Sequence, residues 1–286
     1  SGGRYYHRIA ESKKEMSPDY LGRLLMQRSQ SGMKWFDEQA VPGTTIDDLD
    51  VSLAQRYIRD IKQPMASQFR KLKLIVKNDE GDECLSVAGV LMATADRTQC
   101  LPNAYVQAVC YSGDRRDADD QLDAQDMNGP LDQQVLQALN FVERNMKVAA
   151  TKNIGRKDYP QYSLNAVFEA LVNAVAHRDY AVYGVKIRLH MFSDKLVIAS
   201  PGALVNTMEV DDLELRQAPR NHLITSLLAR CTVDHPNIDR NLMMDKRGEG
   251  VPVIMDEAKR MGAQRPEYKI VGEELQLTIF AATVVT

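Results

Sequence analysis

The chain has 286 residues, 44% of them hydrophobic and 26% charged, the balance of a globular protein with enough length for a sizeable core. Its 36 Lys and Arg stand against 39 Asp and Glu, a formal charge of −3 that excludes polyanion binding by bulk electrostatics. No apolar run is long enough to span a bilayer, and Cys84, Cys100, Cys110 and Cys231 match no CxxC or zinc spacing. A cytoplasmic protein with reduced thiols and two domains is therefore expected.

Ser1-Gly2-Gly3 reads as a cloning remnant and is set aside. From Arg4 to Arg28 six Lys and Arg face three acids, a basic start able to touch a phosphate backbone or simply to be solvated. "SPDYLGRLL" predicts a helix over 17–29, with Ser17 as N-cap and Pro18 in its first turn. "WFDEQAVPGTT" reads as a loop, Ser52 to Ile61 as a second helix, and "KLKLIVK" as a half-exposed strand. A small-residue helix fits 85–95 and a strand 104–111. The Asp-rich segment 112–130 is a loop on composition, and Leu131 to Met146 is a long amphipathic helix. The polar stretch 150–162 breaks the pattern, so a domain boundary is placed there.

Beyond it the grammar is α/β. A helix over 164–177 leads to "VKIRLHMF", where Val185, Ile187, Leu189 and Met191 alternate with Lys186, Arg188 and His190. Ser193-Asp194 turns the chain into "KLVIAS", which stops at Pro201-Gly202. Helices fit 221–230 and 251–261, and "LQLTIF" closes as a strand. Strands joined by short turns, with helices between, imply a mixed sheet covered on one side by helices.

The helix "LNAVFEALVNAVAH" carries the chemistry. Glu169, Asn173 and His177 recur every four residues inside an apolar run, drifting only about 40° per step, so they stack in one row. Ala166, Ala170 and Ala174 flank the row without bulk, which suggests that something packs closely against it. Two readings stand: a ligand pocket, or a polar seam in which Glu169 caps a backbone donor and His177 meets the helix's negative pole. "KRGEGVPVI" sets Gly248 and Gly250 just before a helix, where free N–H groups favour an anion, with Arg247 beside them. A plain tight turn fits the same residues.

Taken in order, "EALVNAVAHRDY", "DKLVIASPGAL", "PRNHLITSLLAR" and "RGEGVPVIMDEAKRMG" resemble the C-terminal half of bacterial Schlafen/Alba-type transcriptional regulators, often labelled RecG-like helicases. That half is a divergent Bergerat-type ATPase, the fold of histidine kinases and gyrases. "YYHRIAESKKEMSPDYLGRLL" resembles the end of the Alba-like DNA-binding domain of the same proteins. The resemblance implies an α/β (α+β) chain in three parts: the Alba-like tail over 1–30, an α/β middle over 31–150, and the ATPase-like domain over 151–286. It implies ATP and Mg²⁺ as cofactors and DNA as the partner of the longer protein. Glu169 would polarise the attacking water and Asn173 would ligate Mg²⁺. His177, Ser200, Gly202, Arg220, Asn221, Arg247, Gly248 and Gly250 would complete the cofactor site. The ATPases place an aspartate where this chain has Ser200, and a neutral hydroxyl holds the adenine amino group less strongly than a carboxylate.

No G-x-x-x-x-G-K-[ST] is present, which excludes a P-loop helicase motor and leaves weak ATPase activity as the enzymatic expectation. The chain reads as the middle of a longer regulator, without the front of the Alba-like domain or a C-terminal winged helix. Its rivals are a degenerate scaffold or homodimerisation module that binds no nucleotide, and a metal site of Glu169, His177 and Asp179, which lacks a fourth ligand.

Overall fold

The computed structural model describes residues 5–9, 12–16, 21, 35–58, 63–96, 100–151, 157–205, 208–215, 218–245 and 250–282. The first two strands, β1 (Tyr6–Ile9) and β2 (Ser12–Glu15), pair as an antiparallel hairpin. The helix expected over 17–29 lies outside the described residues, apart from Leu21. Three short helices follow: α1 (Val51–Gln55), α2 (Met65–Lys71) and α3 (Val87–Ala93), with the small antiparallel pair β3 (Ile75–Lys77) and β4 (Glu83–Leu85) before α3. Asp50 rather than Ser52 starts α1, its carboxylate accepting from the Ser52 and Leu53 N–H groups at 2.9 and 3.2 Å. Every residue of α3 is buried, as its small apolar composition allows.

A six-stranded mixed sheet forms the frame: β5 (Val106–Tyr111), β6 (Gln121–Met127), β9 (Ile187–Met191), β10 (Lys195–Pro201), β11 (Glu267–Val271) and β12 (Glu274–Phe280). Their order is β11-β12-β10-β9-β5-β6, antiparallel throughout except for the parallel pair β5–β9. The sheet thus draws strands from both sides of residue 150. Between them β7 (Val148–Thr151) and β8 (Lys157–Pro160) pair with each other across the expected boundary. Three longer helices complete the frame: α4 (Leu131–Asn145), α5 (Leu164–His177) and, after the short α6 (His222–Leu228), α7 (Gly250–Arg260). Helix α4 packs on β5 and β6, and α5 on α4, α7 and β10. Among the described residues no helix is long and apolar enough to cross a membrane.

The register explains the layering. Cys110, Met191, Leu196 and Ile279 fall across one row, and Ala108, Leu189, Ile198 and Leu277 across the next, all within one apolar core with the helices. The alternation expected in 185–191 holds for Ile187, Leu189 and Met191 but not for His190, which is buried on the opposite face. There it lies between Val109 and Val197, beneath the rings of Tyr111 and Phe192 at 6.0 and 6.3 Å.

The reading of 112–130 as a loop is corrected: residues 121–127 are the edge strand β6. Its charges are those of an edge with one flank toward solvent. Asp123 takes hydrogen bonds from Arg144 and Asn145 of α4 at 2.8 and 2.9 Å, and Asp126 from Gln107 of β5 at 2.9 Å. The "KLKLIVK" strand is shorter than expected, because Lys73 turns the backbone to φ +53° before β3 begins.

Candidate functional site

Helix α5 is defined at both ends by side chains. Ser163 caps its start, accepting from the Ala166 N–H at 3.4 Å. At its end the Asn221 amide donates to the carbonyls of Ala176 and Arg178 at 2.9 and 2.8 Å, and the Tyr180 hydroxyl donates to the Val175 carbonyl at 2.8 Å. These bonds satisfy terminal carbonyls that would otherwise be buried and unpaired. Asn221, expected among the cofactor contacts, is thus a buried cap, only 1% exposed.

The row of Glu169, Asn173 and His177 faces a cavity of about 690 Å³. Ser200, Gly202 and Arg220 line it from the end of β10 and the approach to α6, and Gly250 lines it from the start of α7. Ile198, Tyr268, Leu275 and Leu277 form an apolar wall from the sheet, and Leu204, Met208 and Met244 add to it. A volume in this range with a few convergent polar groups suits a small-molecule ligand the size of a nucleotide. Arg247 and Gly248 lie outside the described residues.

Helix α7 packs on α5, and Ala170 and Ala174 line the cavity beside the row. The first residue of α7 packs so closely that a Cβ on Gly250 would lie 2.8 Å from Asn173 Nδ2 and 3.0 Å from Glu169 Oε2. Glycine is needed there for proximity, not for an unusual φ. Glu169 itself is 5% exposed and forms an ion pair with Arg240 through Oε1. Arg240, absent from the residues expected at the site, also lines the cavity and lies 6.0 Å over the Phe168 ring.

On the β10 side, Ser200 donates its hydroxyl proton to the Ala174 carbonyl at 2.8 Å, tying the strand to α5. Its lone pairs remain the acceptors that an exocyclic amino group would need. Gly202 adopts φ +109° and is wedged against Asp179 and Arg220. Arg220 donates to Asp179 Oδ2 at 2.8 Å and to the Ala203 carbonyl, and burial lowers its pKa. Burial, with the Arg220 cation nearby, pushes the His177 imidazole down to about 4, so it is neutral near pH 7. A neutral imidazole contributes one donor and one acceptor rather than a charge. Asp179 is committed to Arg220, and among the described residues no three His, Cys, Asp or Glu side chains are grouped to hold a metal. The trio Glu169, His177 and Asp179 is therefore not a metal centre.

Residues 184–279 match a family described as "Putative ATP-dependent DNA helicase recG C-terminal". The match covers an ATPase-like C-terminal region and begins after α5, so the polar row lies outside it. The fold is similar to the crystal structure of the DIP2311 protein from Corynebacterium diphtheriae, with a TM-score of 0.63 and 21% identity over 98% of this chain. This chain spans about half of that one, 53% of its length. No curated protein matches.

Proposed function

We propose that this chain is the nucleotide-responsive part of a DNA-binding transcriptional regulator, and that its cavity takes ATP with Mg²⁺. The observation that carries the reading is the placement of Glu169, Asn173 and His177 along one wall of a nucleotide-sized cavity, with the start of α7 packed against Glu169 and Asn173. The match of 184–279 to an ATPase-like family supports it. The residues present fit such a ligand: apolar side chains for a base, Ser200 lone pairs for its amino group, and the Asn173 amide oxygen for a cation. Arg247 and Gly248 belong under the phosphates by resemblance to the ATPases. In Glu169 one carboxylate oxygen is already paired with Arg240, so binding rather than rapid turnover is the primary property. DNA contact belongs to the longer protein, with the basic stretch 4–28 contributing a salt-sensitive part. Nucleotide occupancy would then alter DNA affinity.

Calorimetric titration with ATP, with and without Mg²⁺, tests this. Asn173→Ala should abolish the Mg²⁺-dependent part of the affinity while leaving the metal-free part in place. If wild-type protein shows neither heat nor competition at millimolar ATP, the row is a structural seam and the chain a scaffold or dimerisation module.

A further inference from the structure

We propose that Arg240 is the phosphate-sensing residue of this cavity, held by Glu169 until a metal-chelated polyphosphate exchanges partners with the pair. The inference rests on the nucleotide reading above and concerns the ion pair that such a ligand meets. Two guanidinium groups line the cavity among the described residues. Arg220 is spent, since its terminal nitrogens hold Asp179 and the Ala203 carbonyl. Arg240 is bound differently. Its partners are Glu169 and the face of Phe168, and its side chain is 27% exposed where that of Glu169 is 6% exposed. Arg240 is therefore the more accessible end of the pair, and Glu169, which also lines the cavity, the more buried one.

The backbone that follows Arg240 is pinned. Val233 N–H donates to the Asn241 carbonyl at 3.1 Å and Met243 N–H to the Cys231 carbonyl at 2.9 Å, around the bridge between Thr232 and Leu242. A long side chain on an anchored backbone can change partner without moving the fold. A guanidinium pairs with phosphate as readily as with carboxylate.

Charge balance then selects the ligand. A phosphate that takes Arg240 leaves the Glu169 carboxylate buried without a countercharge, which is costly. A ligand that brings its own divalent cation removes that cost, because the cation can sit against Glu169 and the Asn173 amide, which lie together at Gly250. The exchange turns one ion pair into two, Arg240 with phosphate and the cation with Glu169. A metal-free polyphosphate gains only the first.

The test is calorimetry with adenosine, with ATP in EDTA, and with ATP and Mg²⁺. Wild type should bind ATP better with Mg²⁺ than without. Glu169→Gln no longer competes for Arg240, so metal-free ATP should bind about tenfold more tightly than to wild type and the Mg²⁺ dependence should shrink. Arg240→Ala should weaken ATP by about tenfold and leave adenosine unchanged. The double variant Glu169→Gln/Arg240→Ala, which buries no unpaired charge, should lose the gain seen in Glu169→Gln. If wild type binds ATP but Glu169→Gln weakens the metal-free form, or the double variant keeps the gain, the pair is a structural pin and the exchange is overturned while the nucleotide reading stands. If wild type binds neither adenosine nor ATP, both are overturned.

Discussion

Gly202 shows how far a single residue of the site could be read in advance. Pro201-Gly202 is recognisable as the end of a strand because both residues punctuate backbone. What the stretch does not reveal is how tightly the turn is enclosed. The Gly202 N–H donates to the Glu273 carbonyl at 2.8 Å, the Asp179 N–H donates to the Pro201 carbonyl at 2.7 Å, and a Cβ at Gly202 would lie 2.7 Å from Asp179 Cβ. Gly202→Ala therefore meets both a φ that side chains avoid and a backbone-anchored neighbour. We expect a loss of about 2–4 kcal/mol in urea unfolding, combining strain with overpacking. Gly272→Ala, at φ +62° with open space around it, should cost about 1 kcal/mol. Equal losses at the two positions would show that enclosure contributes nothing. Spacing likewise exposed the row of Glu169, Asn173 and His177, since four-residue intervals are a local signal. Arg240 gave none: "NIDRN" contains no motif, and its meeting with Glu169 is created by the tertiary fold alone. Asn221 looked like a ligand contact because of its neighbours in the sequence, whereas its amide is consumed by the end of α5.

Helix α6 carries the corresponding lesson for elements. Its existence and its start near 221 are legible from "NHLITSLLAR", but its cap is not, because Asn221 in the N-cap position makes no capping bond to it. The cap comes from Asp37, in the turn Phe36–Glu38, whose Oδ2 accepts from the Leu223 and Ile224 N–H groups at 2.7 and 3.1 Å. Trp35 packs at a tilt against His222 beside it, with ring centroids 4.3 Å apart. A cap supplied from so far away in sequence has no local signature, just as β6 had none beyond its turn-like composition. Burial raises the Asp37 pKa above the usual 3.8, despite the two N–H bonds that lower it. The folded state thus holds this proton more tightly than the unfolded state, so its contribution to stability falls as pH rises through 3.8 to the folded value. Asp37→Asn keeps an acceptor for both N–H groups and cannot ionise. It should be at least as stable as wild type at pH 7, with the difference narrowing toward pH 4. Asp37→Ala removes the acceptor and should cost about 1–2 kcal/mol in chemical denaturation at pH 7. Equal losses in the two variants would show that the carboxylate charge, not its acceptor geometry, holds the helix.

At the scale of the molecule, most helices and strands after residue 160 were legible because alternation and four-residue spacing are local, and those signals place α5, β9, β10 and β12 within a few residues, whereas β11 was not read. The parallel pairing of β5 with β9 was not, since parallel neighbours need a long crossover and leave no mark in either strand. That pairing matters for the site. Ala108 sits opposite Leu189 on one side and Gln125 on the other, and the core that includes Ala108 runs without a break to Leu171, Ile198 and Ile279. A chain whose six-stranded sheet draws on both sides of residue 150 and shares one continuous core should unfold as a unit. Trp35, the single tryptophan, reports from the N-terminal side, while far-UV dichroism reports from every helix and strand. The two probes should trace one coincident urea transition. Ala108→Pro, which puts a ring and a missing donor into a strand paired on both sides, should cost about 3 kcal/mol or more and shift both probes together. ATP affinity should weaken with it, even though residue 108 lies outside the cavity, because β9, which holds β10 beneath α5, would lose its own neighbour on the other side. A dichroism curve with a second step untouched by Ala108→Pro would instead show that the segment after residue 150 holds its own fold, and that the cavity owes nothing to β5.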